Sequence, residues 1–148
     1  MAGTTLADIM HLVAFDLVIR KLRKALADAG LMWQVPCEGA GEAMGFAGCG
    51  DVVVAGESTY IDDLAIPVVG NHGEDDSVFR KLGCAAELVV EVLGMHGLAV
   101  NFKRGKTEAV IAFTGRGGTA ARRLLYEHYK HLVPIMPDHY PYRMLRVV

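Results

Sequence analysis

The chain has 148 residues, 52% of them hydrophobic, which is the size and apolar content of one ordinary domain with a core of its own. Fifteen Lys and Arg against 17 Asp and Glu leave a formal net charge of -2, so no global basic field attracts a polyanion, and any nucleic-acid surface must be local. Cys37, Cys49 and Cys84 are odd in number and widely spaced with no CxxC pair, which points away from a disulfide framework or a zinc knuckle and toward a reduced, intracellular protein.

In chain order, Leu6, Ile9, Met10, Val13, Leu17, Leu22 and Leu26 recur at helical spacing from Thr5 to Ala29, with Gly30 just past the end. This predicts a long amphipathic helix; Asp8, Asp16, Arg20 and Lys21 interrupt its apolar character before membrane-spanning length, and no signal peptide or membrane contact is expected. Glu38 to Gly50 holds five glycines among small residues and predicts a mobile loop. Val52 to Val54, and later Leu64, Ile66, Val68 and Val69, are β-formers on either side of a polar group, which predicts a hairpin over 51–69. Val78, Leu82, Ala85, Val89, Val92 and Met95 line one face of a second helix, Ser77 to His96, stopped near Gly94 or Gly97. Leu98 to Phe102 and Glu108 to Phe113 read as strands around Arg104-Gly105, Thr119 to His131 as a short basic helix, and Met144 to Val148 as a strand without a partner. Trp33 and Phe79 are expected in core or half-buried packing.

The stretch "TYIDDLAIPV" sets Asp62 beside Asp63 in an otherwise apolar run, near the tip of the predicted hairpin. In a regular strand Tyr60 and Asp62 share one face while Ile61 and Asp63 share the other, so only a turn lets both acids approach one point. Two carboxylates held that close repel, and a hard divalent cation taking their oxygens relieves the cost. That is magnesium chemistry, and two ions roughly 3.5–4 Å apart would serve phosphoryl transfer, given a further carboxylate from a neighbouring strand. Taken by itself, the dipeptide also suits a solvated turn, where Asp is favoured.

The downstream order alters that balance. Tyr60-Ile61-Asp62-Asp63 is followed by a helix and then by "GLAVNFKRGKTEAVIAF", with Gly97-Leu98, Asn101 and Lys106-Thr107-Glu108. This resembles the palm region of reverse transcriptases of the non-LTR retrotransposon type, with their YxDD hairpin and "GL-x-x-N-x-x-K-T-E" segment. Four residues, where the family has two, separate Asn101 from Lys106, so either Lys103 or Lys106 fills the family's lysine position. Upstream, "GTTLADIMHLVAFDLVIRKLR" is more loosely similar to the family's helix under the templating base pair.

The resemblance implies an α+β palm-like antiparallel sheet that carries the YxDD hairpin and is covered by helices, as an incomplete domain. Residues 1–30 would be the helix before the hairpin, 51–69 the hairpin, 77–113 the helix and following strands, and 114–148 the connection toward the thumb. It implies an RNA-directed DNA polymerase that transfers nucleotides to a primer 3′-hydroxyl with two magnesium ions. Asp62 would be the main metal ligand and Asp63 a secondary acid, Tyr60 would pack near the primer end or incoming nucleotide, and Lys106 or Lys103 would offset charge on the leaving pyrophosphate. The partners would be an RNA template, a DNA primer and a deoxynucleoside triphosphate, in nucleus or cytoplasm. The family's remaining metal-binding aspartate, its fingers and its full thumb have no counterpart in the sequence, so the 148-residue chain is expected to be inactive alone. Two alternatives are a non-catalytic domain that keeps the palm scaffold for binding, and an unrelated magnesium-dependent phosphotransferase.

Other features carry less. The clusters Arg20, Lys21, Arg23, Lys24 and Lys103, Arg104, Lys106 suit phosphate contact or a solvated face, as do Arg122, Arg123 and Lys130. His128, His131 and His139 lack the acid or cysteine that would complete a metal site, Gly115 to Gly118 lacks a P-loop Lys-Ser/Thr, and Cys84 reads as a structural thiol.

Overall fold

Two long helices organise the chain, and both stop where glycine allows them to. In the computed structural model, which describes residues 5–36, 52–55, 58–60, 63–71, 74, 76–115, 117–135 and 143–148, α1 spans Thr5–Asp28 and α2 spans Ser77–Met95. Gly30 takes φ +67° after α1 and Gly97 φ +74° after α2. The amide of Leu31 then donates to the Leu26 carbonyl at 2.9 Å, and that of Leu98 to the Leu93 carbonyl at 3.0 Å. These six-to-one closures satisfy carbonyls that the helix ends would otherwise leave bare.

α1 buries Val18, Ile19, Leu22 and Leu26, while Val13 and Leu17 stay 60% and 57% exposed. The inward stripe is therefore rotated from the one expected through Val13 and Leu17. It meets Ala85 and Val92 of α2, with Leu88, Val89 and Leu93 completing the contact. The N-terminal half of α2 faces a different core, in which Phe79 packs among Ala109, Ala121, Leu125, Val133, Ile135, Leu145 and Val147. Phe79 is buried as expected, whereas Trp33 is 41% exposed. α2 thus stands between two cores and presents a buried surface to each.

Among the described residues the strands form three separate sheets. β1 (Trp33–Pro36) pairs antiparallel with β2 (Val52–Ala55), β3 (Ser58–Tyr60) with β4 (Asp63–Ala65), and β7 (Arg143–Val147) lies between β5 (Glu108–Ala109) and β6 (Leu132–Ile135). β7 runs antiparallel to β6 and parallel to β5. The molecule is α+β as expected, but the three-stranded sheet is mixed, and the acidic hairpin belongs to a ladder of its own rather than to that sheet. Nor is the C-terminal strand unpartnered, since β7 is the central strand. Pro134 breaks the β pattern of β6; proline is tolerated there because β6, among the described residues, is an edge strand paired with β7.

Leu98 to Phe102 forms no strand, and the expected strand from Glu108 to Phe113 reduces to Glu108–Ala109. A run of β-formers becomes a ladder only where a partner lies alongside; here Phe102, Ile111 and Phe113 pack instead against the Phe79 core. The expected basic helix is present as α3 (Gly118–Leu124), continued in wider π-helical turns over Leu125–Tyr129. Lys130 and His131, at φ 48° and 63°, then reverse the chain into β6. The Gly-rich stretch predicted over Glu38 to Gly50 lies outside the described residues. Among the described residues no helix is long and apolar enough to cross a membrane.

Candidate metal-binding hairpin and lysine loop

The acidic hairpin exists, but its first strand is not the one the valines suggested. Val52–Ala55 pairs with Trp33–Pro36, and the partner of Asp63–Ala65 is the polar Ser58–Tyr60. The register sets Ser58 against Ala65, Thr59 against Leu64 and Tyr60 against Asp63. A pair three residues apart leaves a two-residue connection, the commonest hairpin length. Its residues, Ile61 and Asp62, lie outside the described residues. The facing register position to Tyr60 therefore belongs to Asp63, next to the residue expected as the main ligand. The ladder is anchored just after Asp63 in sequence: Leu64, with Ile66 and Val68 beyond it, packs against the core shared by α1 and α2.

α2 begins with a built connection. Ser77 is buried, and its Oγ accepts the Asn71 amide at 2.6 Å and donates to the Glu74 carbonyl at 3.0 Å. Lys81 Nζ donates to the Val69 carbonyl at 3.0 Å and to Asn71 Oδ1 at 2.7 Å. The segment leaving the hairpin is thus fastened to the first turns of α2 by polar contacts on one side and by Ile66 and Val68 on the other.

Lys103 and Lys106 are the first and last residues of a single turn between α2 and β5, and both are exposed. The Lys106 amide donates to the Lys103 carbonyl at 3.0 Å, and Gly105 takes φ +75° at the third turn position, which type II turns reserve for glycine. Asn101 closes the loop: its Oδ1 accepts the Lys103 amide at 3.0 Å and its carbonyl accepts the Thr107 amide at 3.1 Å. Glu108 Oε1 accepts the Gly105 amide at 2.9 Å. Asn101 and Glu108, read from the sequence as markers, are the residues that shape the loop, and the turn accommodates the two extra residues. Both lysine side chains project from it, so the geometry favours neither one. The loop hangs on the Phe79 core through Phe102, whereas the hairpin leans on the α1–α2 core through Leu64, so the two parts of the expected site attach to different cores.

Among the described residues, no three His, Cys, Asp or Glu side chains gather as a ligand set. His128 lies edge-on to Tyr129 with ring centroids 4.9 Å apart, and His131 edge-on to Tyr126 at 4.7 Å. His139 lies outside the described residues. In the basic cluster of α1, Arg20 pairs with Asp16 at 2.8 Å and Lys24 with Asp28 at 2.7 Å. Both pairs are solvent-exposed. Lys21 Nζ lies 3.0 Å from His96 Nε2, while His96 Nδ1 lies 2.8 Å from the Val92 carbonyl, a polar link between the C-terminal ends of α1 and α2. Gly115, at φ +74°, makes a plain turn into α3. Comparison of the chain with known protein families, with curated proteins and with solved structures finds no match.

Proposed function

We propose that the chain is the palm-region segment of a retroelement reverse transcriptase, an RNA-directed DNA polymerase of the non-LTR type, and that Asp62 and Asp63 belong to its two-magnesium site. The observation that supports this most is the hairpin register: with Tyr60 opposite Asp63, the Tyr-x-Asp-Asp tetrapeptide sits at the closing end of a two-stranded ladder. An amphipathic helix and the Asn101–Glu108 loop follow it in the order the resemblance calls for. A solvated turn would explain the adjacent acids but not that succession.

Two neighbouring carboxylates are an all-oxygen donor set, which fits magnesium. When bound, the metals activate the primer 3′-hydroxyl and stabilise charge on the departing pyrophosphate. Asp62 is the main ligand and Asp63 the secondary acid; Tyr60 packs at the primer end or incoming nucleotide. Lys106, or Lys103 from the other end of the same turn, offsets pyrophosphate charge. The partners are an RNA template, a DNA primer and a deoxynucleoside triphosphate, and the compartment is the nucleus or cytoplasm.

Manganese, a paramagnetic stand-in for magnesium, tests the ligand assignment on the isotopically labelled 148-residue chain. Amide broadening centred on residues 58–65, and lost in the Asp62→Asn/Asp63→Asn variant, is the expected result. Broadening spread over exposed acids elsewhere and unchanged in that variant contradicts it and favours a palm-derived scaffold without metal chemistry.

A further inference from the structure

A cleft of about 300 Å³ opens where the end of α1, the start of β1 and the segment leaving β4 meet the first turns of α2. Trp33, Gln34, Asn71 and Lys81 are the side chains that give it chemical character, and Gly30 and Gly70 supply bare backbone to its wall. Trp33 is the only tryptophan in the chain and is 41% exposed at this cleft. An indole left partly open beside a cavity is a stacking surface that no described residue fills. Lys81 is half-buried, and its Nζ is held by the Val69 carbonyl and the Asn71 side-chain oxygen. Both oxygens are neutral, so they fix the ammonium in place without cancelling its charge. An ammonium carries three N–H groups, and these two contacts use two.

An aromatic face, a positioned cation and the Gln34 amide, able to donate and accept, are the elements that recognise a base joined to a phosphate. We propose that this cleft binds a single nucleotide, its base stacked on Trp33 and its phosphate on Lys81, either free or as one unit of a single strand. The site shares no residue with the Asp62–Asp63 hairpin and stands independently of the polymerase reading.

The position of the lone tryptophan makes the test direct. Fluorescence of the full chain, excited at 295 nm, is followed on titration with AMP, adenosine, inorganic phosphate and a short oligoadenylate. Quenching by AMP with half-saturation below about 1 mM, and at least about tenfold weaker binding of adenosine, is expected for one stack and one charge-assisted contact. Lys81→Gln weakens AMP about tenfold and Lys81→Arg restores most of the loss, while circular dichroism and the melting temperature show that both variants are folded. Oligoadenylate binding at least tenfold more tightly than AMP identifies a strand as the natural source; equal affinity identifies the free nucleotide. Emission unmoved by AMP and oligoadenylate at several millimolar overturns the proposal. So does quenching that adenosine reproduces at the same concentration, or that persists unchanged in a folded Lys81→Gln.

Discussion

Gly83 and Gly94 lie on the same helix and answer to opposite forces. A Cβ on Gly83 would sit 2.8 Å from the Pro134 carbonyl oxygen, backbone that cannot swing aside, where β6 crosses α2. Gly83→Ala should destabilise the fold by about 1–3 kcal/mol, read as a lower urea midpoint. A Cβ on Gly94 meets nothing, so Gly94→Ala should stabilise by up to about 1 kcal/mol through helix propensity alone. Burial and the charge of Asp76 push the Tyr129 hydroxyl above its ordinary range, against a smaller opposing effect of Arg80. A raised pKa means that the folded state holds the phenolic proton more tightly, so this contribution to stability is intact below the ordinary tyrosine range and is lost as pH rises through the shifted value. Tyr129→Phe should flatten that alkaline loss in a series of melts across pH. Burial and Glu87 likewise raise the Cys84 thiol, which, although exposed, is less thiolate-rich than an ordinary surface cysteine. The sequence showed which glycines end helices but could not show which interior glycine another strand would press against.

At the level of elements, the Asn101–Glu108 loop is where local sequence and local structure agree most closely. Gly105 is held at positive φ with an amide bonded to Glu108, so Gly105→Val should cost about 1–2 kcal/mol in a thermal melt while leaving the distant α1–α2 contact unchanged. The two helices were legible because periodicity and a left-handed glycine act within one segment. α1 nevertheless shows the limit of periodicity: two overlapping apolar stripes run along it, and only contact with Ala85 and Val92 decides that Val18, Ile19, Leu22 and Leu26 turn inward. Strand pairing was less legible. Valines at Val52 to Val54 announced a strand but not its partner, and Ser58–Tyr60, which has no hydrophobic run, announced nothing. The hairpin expected from the β-formers is present, but Ser58–Tyr60 takes the place of the valines as its first strand.

Across the whole molecule, α2 couples the parts. One end carries Phe79, stacked on Tyr129 at 4.7 Å within the sheet core, and the other carries Val92 in the core that supports Leu64 of the acidic hairpin. Phe79→Ala should cost about 3–5 kcal/mol, because it empties a buried position in the core shared with residues of β5, β6, β7 and α3. The exposed ion pairs of Arg20, Lys24 and Arg80 contribute little by comparison, and raising salt should barely move the midpoint. The supports of the site expected from the sequence divide in the same way, with Leu64 after the hairpin in one core and Phe102 of the lysine loop against the other. The most direct measurement is primer extension on an RNA template by a polypeptide in which this chain is continuous with the upstream palm strand, fingers and thumb, comparing Asp62 with Asp62→Asn. Extension reduced by about 10³-fold or more, with template–primer affinity nearly unchanged, is the result expected of the proposed ligand, since losing a metal ligand forfeits several kcal/mol of transition-state stabilisation. Extension that survives Asp62→Asn undiminished contradicts the account.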